Sequence, residues 1–497
     1  MNRAETAFKL PADIPERWER AYRNLLSSLD RYLRENEGKA DDNLETLRIA
    51  DLEILSEAMR MVYRAMTGGP ADDSRFNYLS RVPEIVPAWK KAVRMGRAFA
   101  RLRENYRPVS LIRPDRDICS FHSSAILRAY AKKRGINPVL MSHGDWFVPA
   151  GTSDVANSRG LDNEQHEFLT EATRDAFSVA GVGGAFDAKT ASAAYERLVR
   201  WINFHRQHLL SKRKHLPSEF WAGTMGFPLH RIFAQAVLAK GGHVVGFDHG
   251  SGSGIFDSDN QARHELGYVD RFITFGAAMA EGLRLNAQKS GPRFSRVEIE
   301  PLGEFQRVTA HGAPTRKPSR AIYVASQYYG NKFISPPFCD NERLMDWQHR
   351  LLSSLKKTGM NVAIKPHPED IQDPAQRMSR ELGLEILKGR FENLDWPDTI
   401  FFFDTLLSSA FSAALASGMP IVLFDIPHIK RRPPADQMLQ GRVAVVPAWY
   451  DDNGRIQTDW DKIDSVIDRA LALHDDRILQ QYYGTASTKP DQSALAG

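Results

Sequence analysis

The sequence holds 497 residues, too many for one ordinary hydrophobic core, and its length predicts two or three domains. Hydrophobic residues make up 42% and charged residues 26%, which is typical of a globular protein and excludes wholesale disorder. The formal net charge is only +5, and no nucleic-acid-binding motif accompanies it, so we expect no nucleic-acid partner. Basic runs at 212–214 and 430–432 are expected to be solvated faces. The alternative is attraction to phosphorylated ligands or to an anionic membrane surface.

Cysteine usage and hydropathy indicate the compartment. Cys119 and Cys339 are too few for a disulfide framework or a zinc cluster, and they fit a reducing cytoplasm. The first residues lead into a charged helical pattern with no apolar signal-peptide core. The longest apolar stretch, residues 410–424, is interrupted by Gly418 and Pro420 and is too short to span a bilayer. We expect a cytoplasmic protein, with any membrane contact peripheral at the inner face.

The first part of the chain divides into a helical segment and an alternating segment. Residues 1–105 carry apolar residues at helical spacing and predict an N-terminal helical extension, which either packs on the next domain or mediates a contact. In residues 106–310, short apolar runs alternate with helical patterns, which predicts a domain with a parallel sheet covered by helices. Its predicted strands are residues 109–112, 138–142, 220–223, 243–247, 271–275 and 297–302.

A second alternating series follows a polar linker at residues 311–320. It occupies residues 320–485, and the tail at residues 486–497 is expected to be flexible. The predicted strands of this second domain are residues 321–325, 361–364, 384–387, 399–403 and 421–424. Two doubly wound domains of this kind place a ligand cleft between them, at the carboxyl ends of their strands.

The sharpest local motif follows the strand predicted at 361–364. That strand runs into Lys365, Pro366, His367 and Pro368. The two prolines restrict the backbone on either side of the histidine and hold its ring at the mouth of the sheet. A histidine there can donate a hydrogen bond to a phosphate, and the lysine adds a positive charge. The alternative interpretation is a proline-braced turn whose histidine only caps a loop.

A second motif lies about forty residues later. Ser408 and Ser409 follow the strand predicted at 399–403 and begin a helix rich in small residues, which ends at Gly418. The free N–H groups and the dipole at a helix N-terminus favour an anion. Serine is also simply a good N-cap, which is the alternative. Because both motifs follow strands of the same domain, together they favour a phosphate site.

These motifs carry a resemblance to a known group of enzymes. Lys-Pro-His-Pro at 365–368, the serine pair, and Ala-Leu-Ala-Ser-Gly-Met-Pro-Ile-Val-Leu-Phe at 414–424 resemble the C-terminal half of GT-B glycosyltransferases of capsule and lipopolysaccharide biosynthesis. The CMP-sugar-using members, including bacterial β-Kdo transferases and sialyltransferases, are the most similar. The resemblance covers residues 320–425. It implies an α/β fold of two Rossmann-like doubly wound domains facing a cleft.

The resemblance also implies a donor site. In this group the histidine of the His-Pro pair and the paired serines contact the phosphate of the CMP donor, which implies that role for His367, Ser408 and Ser409. Lys365 and Pro368 belong to the same motif. Gln327, after the first strand of the second domain, is expected to line the nucleotide pocket.

The implied activity is a metal-independent transfer of a sugar, Kdo or a related 2-keto acid sugar, from CMP to a surface-polysaccharide or lipid-linked acceptor. A nucleotide sugar and a glycan or glycolipid are then the expected partners, and no separate cofactor is expected. The sequence shows no carboxylate cluster with metal-ligand spacing. Transfer of glycerol phosphate or use of a UDP-sugar on the same fold remains an alternative, as does a non-catalytic nucleotide-binding or scaffold protein. The acceptor and the anomeric outcome stay open.

The first domain offers a candidate catalytic group. The strand predicted at 243–247 delivers Asp248 and His249 into a glycine-rich loop that begins at Gly250, where the backbone can approach a ligand closely. Related transferases often carry Gln-His-Gly here, so Asp248 replaces the glutamine. Its carboxylate can act as a base on the acceptor hydroxyl or as the nucleophile of a retaining double displacement. The alternative is that Asp248 binds loop amides and His249 supports it.

Three further residues are weaker candidates. His143 and Asp145 follow the strand predicted at 138–142 and are expected to face the cleft. Glu171 shares a helical face with Glu164 and Glu167 and is kept as a candidate acid or base, although a solvated face is the favoured interpretation. Residues 121–124 fit either the same cleft or a helix cap.

Overall fold

The computed structural model describes residues 13–37, 42–67, 115–147, 152–248, 252–303, 316–326, 341–367, 374–404, 408–426 and 430–484. Within these ranges the chain forms two separate, mainly parallel sheets covered by helices. The predicted α/β architecture, two Rossmann-like doubly wound domains preceded by helices, is confirmed. The predicted domain boundaries near residues 105 and 310 lie outside the described residues and stay predictions.

The N-terminal helices are part of the first domain. They are α1, Ile14–Glu35, and α2, Asp42–Thr67. Helix α1 packs along a later helix, Asn163–Val179, where the rings of Tyr32 and Phe168 stack with centroids 4.1 Å apart. Apolar side chains of both helices are buried in one cluster with those of the first sheet. Of the two predicted roles, packing on the next domain is therefore the observed one.

Buried ion pairs fix these helices to the first domain. The guanidinium of Arg231, whose side chain is 2% exposed, donates to Glu53 of α2, to the carbonyl of Ile49 at 3.1 Å and to that of Met225 at 3.1 Å. Arg263 pairs with an aspartate of α1 in the same way. A buried charge that loses its partner is strongly destabilising. The helices therefore neutralise charge inside the first domain as well as covering its apolar surface.

The first sheet has six strands, all parallel, in the order β2-β1-β3-β4-β5-β6. These strands are β1 Asp115–Ser120, β2 Pro138–Leu140, β3 Glu219–Ala222, β4 His243–Phe247, β5 Arg271–Thr274 and β6 Glu298–Pro301. The helices around them are α3 Ala125–Arg134, α4 His143–Trp146, α5 Thr152–Ala156, α6 Asn163–Val179, α7 Ala188–Ser211, α8 Pro228–Ala239, α9 Asp259–Leu266, α10 Ala277–Ser290 and α11 Pro292–Ser295. The strand order reverses between β1 and β3, and parallel sheets bind ligands at the carboxyl side of such a point.

The second sheet has seven strands in the order β13-β12-β11-β10-β7-β8-β9, with only β13 antiparallel. They are β7 Arg320–Val324, β8 Asn361–Lys365, β9 Glu385–Ile386, β10 Thr399–Phe403, β11 Ile421–Asp425, β12 Ala444–Tyr450 and β13 Ile456–Thr458. The helices are α12 Asn341–Lys357, α13 Pro374–Leu382, α14 Ser409–Ala416, α15 Pro433–Gln440, α16 Ile463–Leu471 and α17 Arg477–Tyr483. Counted within the domain, the first six strands follow the Rossmann order 3-2-1-4-5-6, and the order reverses between β7 and β10.

Two sets of contacts join the domains. The segment after β4 meets the segment after β11, because the N–H of Asp257 donates to the carbonyl of Lys430 at 2.9 Å and that of Arg432 to Ile255 at 2.8 Å. Both segments follow the carboxyl ends of their strands, so the two carboxyl edges face each other there. Helix α17 returns from the second domain to pack on α10 of the first. No helix of the described ranges is both long and apolar enough to cross a membrane.

Candidate functional site

The carboxyl edge of the second sheet brings the two predicted phosphate motifs together. Phe403 of β10, Val324 of β7 and Lys365 of β8 are level with one another in the strand register. Two interstrand spacings, about 10 Å, therefore separate the ends of β8 and β10. The motifs flank the end of β7, which is the point where the strand order reverses.

Lys365 and His367 leave the sheet at this edge. The Lys365 side chain is largely buried, its Nζ donates to the carbonyl of Pro366 at 3.1 Å, and burial lowers its pKa. His367 follows two residues later and is half-buried. The predicted Pro368 and Gln327 lie outside the described residues.

Ser408 and Ser409 begin helix α14 at the same edge. Ser408 is the N-cap, and its hydroxyl accepts a hydrogen bond from the N–H of Ala410 at 3.2 Å. The carbonyl of Ser409 accepts from the hydroxyl of Ser412 at 2.9 Å. Capping by Ser408 is thus observed. The positive end of the α14 dipole also lies at this edge, just after β10, where it favours an anion.

A buried carboxylate, which the sequence did not single out, lies beneath this junction. Asp404 directly follows β10 and is 3% exposed. Its Oδ2 accepts from the hydroxyl of Tyr323 at 2.7 Å, the hydroxyl of Ser326 at 3.0 Å and the side-chain amide of Gln348 at 3.2 Å. Burial raises its pKa, while these three hydrogen bonds lower it. The carboxylate therefore fixes Ser326, the residue that leads out of β7 into the junction.

At the carboxyl edge of the first sheet, Asp248 directly follows β4. It is 1% exposed, and its backbone N–H donates to the carbonyl of Ile273 in β5 at 2.9 Å. His249 and Gly250 lie outside the described residues. The loop's later Gly254 meets a helix instead of a cleft, because a Cβ there would lie 2.1 Å from the carbonyl oxygen of Met279 in α10. That glycine serves packing between the loop and the helix, and not approach to a ligand.

His143 and Asp145 follow β2 at the same edge. Asp145 caps its own short helix, because its Oδ2 accepts from the N–H of Ser142 at 2.7 Å and from the hydroxyl of Ser142 at 2.9 Å. The half-buried ring of His143 lies 4.8 Å from the ring of Phe121. Its Nε2 lies 2.9 Å from Nε2 of His230, which the sequence did not single out.

His230 is fully buried at the start of α8, and its Nδ1 lies 2.6 Å from the carbonyl oxygen of Thr224. That carbonyl belongs to the loop after β3. Glu265 of α9 holds the loop, because its carboxylate accepts from the N–H of Met225 at 3.0 Å and from the hydroxyl of Thr224 at 3.3 Å. The pair His143–His230 therefore bridges the point between β1 and β3 where the strand order reverses. The loop after β3 holds His230 through the carbonyl of Thr224.

The segments that follow β1 and β3 can approach each other closely because one of them contains a glycine. A Cβ on Gly223, which follows β3, would lie 2.8 Å from Cβ of His122, which follows β1. The exposed ring of His122 has its centroid 5.9 Å from that of His230. Three histidines thus follow or face the ends of neighbouring strands.

Glu171 lies elsewhere. Its side chain is exposed on α6, whose helical neighbours are α1, α2 and α7. It borders an open surface depression of about 490 Å³, lined by Asn163, His166, Glu167, Thr170, Glu171, Arg174 and Ser192. Glu171 thus lies on an exposed part of α6, close to Ser192 of α7, and the depression that it borders is lined by neither Asp248 nor His143.

The structure therefore brings Lys365, His367, Ser408 and Ser409 to one edge. His143 and Asp248 share the opposing edge, but three interstrand spacings, about 14 Å, separate the strands that they follow. In the described ranges, no three or more His, Cys, Asp or Glu side chains are grouped so as to hold a metal ion.

Comparisons with known proteins add little at this level. No known family profile matches the sequence, and no curated protein sequence matches it. Among solved structures, the chain is similar to one in the crystal structure of the GtfA/B complex, at 14% sequence identity and a TM-score of 0.30. The match covers 57% of this chain and 56% of that chain, so it spans little more than half of either. A likeness of this size assigns no residue and no reaction to the present chain.

Proposed function

We propose that the protein is a glycosyltransferase that binds a CMP-activated sugar on its second domain and transfers the sugar to a hydroxyl held by its first. The observation that carries the proposal is the second sheet's carboxyl edge. There, Lys365, His367 and the N-terminus of α14 flank the point where the strand order reverses. A cation, a ring N–H donor and a helix N-terminus together suit a phosphate.

In the proposed reaction, this edge assists the departure of a nucleoside monophosphate. The bond between the anomeric carbon and the phosphate oxygen breaks, and its electron pair leaves on the phosphate. Lys365 and His367 stabilise the negative charge that develops on that group, together with the α14 dipole. The donor sugar that we propose is Kdo or a related 2-keto acid sugar, and the acceptor is a surface polysaccharide or a lipid-linked glycan.

The first domain supplies the other half of the reaction. The acceptor oxygen forms the new bond to the anomeric carbon, and its proton must pass to a base. Asp248 lies at the carboxyl edge that faces the second domain, so we assign it this role. The role has two forms: general base with inversion, or nucleophile of a double displacement with retention.

The proposal is tested by calorimetry with CMP, CDP, UDP and GDP. We expect CMP to bind most tightly, and the His367→Ala variant to bind it at least tenfold more weakly. The loss of one charge-assisted hydrogen bond costs about 1.5–3 kcal/mol. His349→Ala is a matched control, because that histidine lies on α12 of the same domain with a side chain 41% exposed. Unchanged CMP affinity in a folded His367→Ala protein would contradict the assignment.

A further inference from the structure

The pair His143–His230 has a defined protonation pattern. A carbonyl oxygen only accepts hydrogen bonds, so the Nδ1 of His230 that lies 2.6 Å from the Thr224 carbonyl must carry a proton. Burial, with repulsion by His143, lowers the pKa of His230 to about 3, so the ring is neutral and its Nε2 is a bare acceptor. The ring therefore holds one proton, at Nδ1.

The protonation of His143 follows from that of His230. The two Nε2 atoms are 2.9 Å apart, so His143 must donate from its Nε2 to the bare Nε2 of His230. The ring centroids are 5.0 Å apart and the planes are inclined by 24°, which is the geometry of an in-plane N–H···N bond. Burial, with repulsion by His122, lowers the pKa of His143 to about 4, so its proton at Nε2 is the only one. Its Nδ1 is left as a lone pair.

The lone pair on His143 has no partner in the described part of the chain, and the ring is only half-buried. It lies at the carboxyl edge of the first sheet, beside the point where the strand order reverses. A fixed lone pair repels a phosphate or a carboxylate and attracts a hydroxyl. The half-exposed ring of Phe227, 6.4 Å from that of His122, adds an apolar face at the same edge. Small-molecule sites typically combine a small number of fixed polar groups with aromatic surface.

We infer that this edge binds a neutral, hydroxyl-rich ligand, a carbohydrate, whose hydroxyl donates a hydrogen bond to Nδ1 of His143. This inference rests on the proposed function only in taking the carbohydrate to be the acceptor. Thr224 and His230 are positioning residues, because they determine which nitrogen of His143 is bare. A ring that stays neutral orients this hydroxyl without removing its proton. The hydroxyl that reacts is a different one, held at Asp248, whose strand lies three interstrand spacings, about 14 Å, from β2.

The first test needs no variant. In protein labelled with ¹⁵N-histidine, we expect one pair of rings joined by nitrogen–nitrogen scalar coupling across an N–H···N bond. The donor ring should be protonated at Nε2 and the acceptor ring at Nδ1. Absence of the coupled pair, or protonation of the donor ring at Nδ1, would overturn the inference.

The second test uses glucose, galactose, N-acetylglucosamine, Kdo and inorganic phosphate as probes. We expect at least one sugar to shift the Nδ1 signal of the donor ring, with phosphate giving no shift there. The sugar should bind at least tenfold more weakly to His143→Phe and normally to His243→Phe, which replaces an exposed histidine at the opposite end of β4. A shift with phosphate alone, or with no sugar, would refute the carbohydrate site. CMP titration of the same samples reports separately on the second domain, so failure of one site is distinguished from failure of the other.

Discussion

The carboxyl edges of the two sheets face each other but differ in electrostatic character. The second edge presents Lys365, His367 and a helix N-terminus, which together favour an anion. The first edge presents a buried carboxylate, Asp248, and a neutral imidazole pair, which disfavour one. The same architecture, used twice, thus gives two edges of opposite preference for charge. In the proposed reaction, the second edge holds the charged leaving group and the first edge holds the uncharged nucleophile.

The largest expected effect concerns Asp248 and would break this division. Asp248→Asn keeps the shape and removes the charge, so we expect turnover to fall by about 10²–10⁴-fold, the usual contribution of a general acid–base group. CMP affinity should stay normal, because the proposed phosphate site lies on the other edge. Turnover and calorimetric CMP affinity of the same preparation are the measurements. A variant that transfers sugar at the normal rate would remove Asp248 from the mechanism, and a parallel loss of CMP binding would contradict the division.

The second expected effect concerns the ion pair that holds α2 on the first domain. Arg231→Met leaves the largely buried carboxylate of Glu53, 19% exposed, without its cation, and two carbonyls lose their donor. We expect the free energy of unfolding to fall by about 3–5 kcal/mol. Lys317→Met is the control in the second domain, because its pair with Asp464 is exposed and should contribute no more than about 1 kcal/mol. Equal losses by urea denaturation would show that α2 is not held by this buried pair.

The pH dependence of stability is a third way to test the first edge. His230 has a pKa of about 3 in the folded chain and near 6.5 when unfolded, so the unfolded state binds more protons between these values. Stability therefore rises with pH across this window and is lost as the pH falls from 6.5 toward 3. One such histidine contributes a slope of at most about 1.4 kcal/mol per pH unit. Urea unfolding at pH 5, 6 and 7 should show a shallower slope for His230→Phe. An unchanged slope would mean that His230 titrates normally.

The smallest expected effect separates capping from anion binding at the second edge. Ser408→Ala removes an observed N-cap and should cost about 0.5–2 kcal/mol of folding free energy. Replacing Ser409 as well should weaken CMP binding. In free-energy terms, we expect this loss of CMP affinity to exceed the loss of folding stability. A lower melting temperature with intact CMP affinity in the double variant would leave the two serines as caps alone.

Much of the second domain was predictable from sequence, and the reason is burial. Strands such as Thr399–Phe403 are buried on both faces, so they read as continuous apolar runs between helical patterns. The predicted helix Asn341–Lys357 agrees with the structure to the residue, as does the strand His243–Phe247 of the first domain, which is buried in the same way after its first residue. The later strands Ala444–Tyr450 and Ile456–Thr458 were not predicted. Part of each is only half-buried, and their apolar runs are interrupted.

The first strand and the histidine pair were also missed. Strand β1, Asp115–Ser120, contains charged residues and only two apolar ones, and the predicted strand at 109–112 lies outside the described residues. His230 falls within an apolar helical run, where nothing local distinguishes it from a core residue. The order of strands and histidines along the first domain could have indicated the site. Each of three successive strands is followed by a histidine: β1 by His122, β2 by His143, and β3 by His230 near the start of α8.

The return of α17 to the first domain has a mechanical consequence. Tyr482 and Tyr483 are buried, and Gly276 must lack a side chain because a Cβ there would lie 2.3 Å from the carbonyl oxygen of Gln481. The chain thus crosses between the domains twice, once after β6 and once before α17. Helix α17 contacts α14 and α15 of the second domain as well as α10 of the first, so it works as a wedge between them. Any relative movement of the domains has to slide or break the packing on one side of this helix.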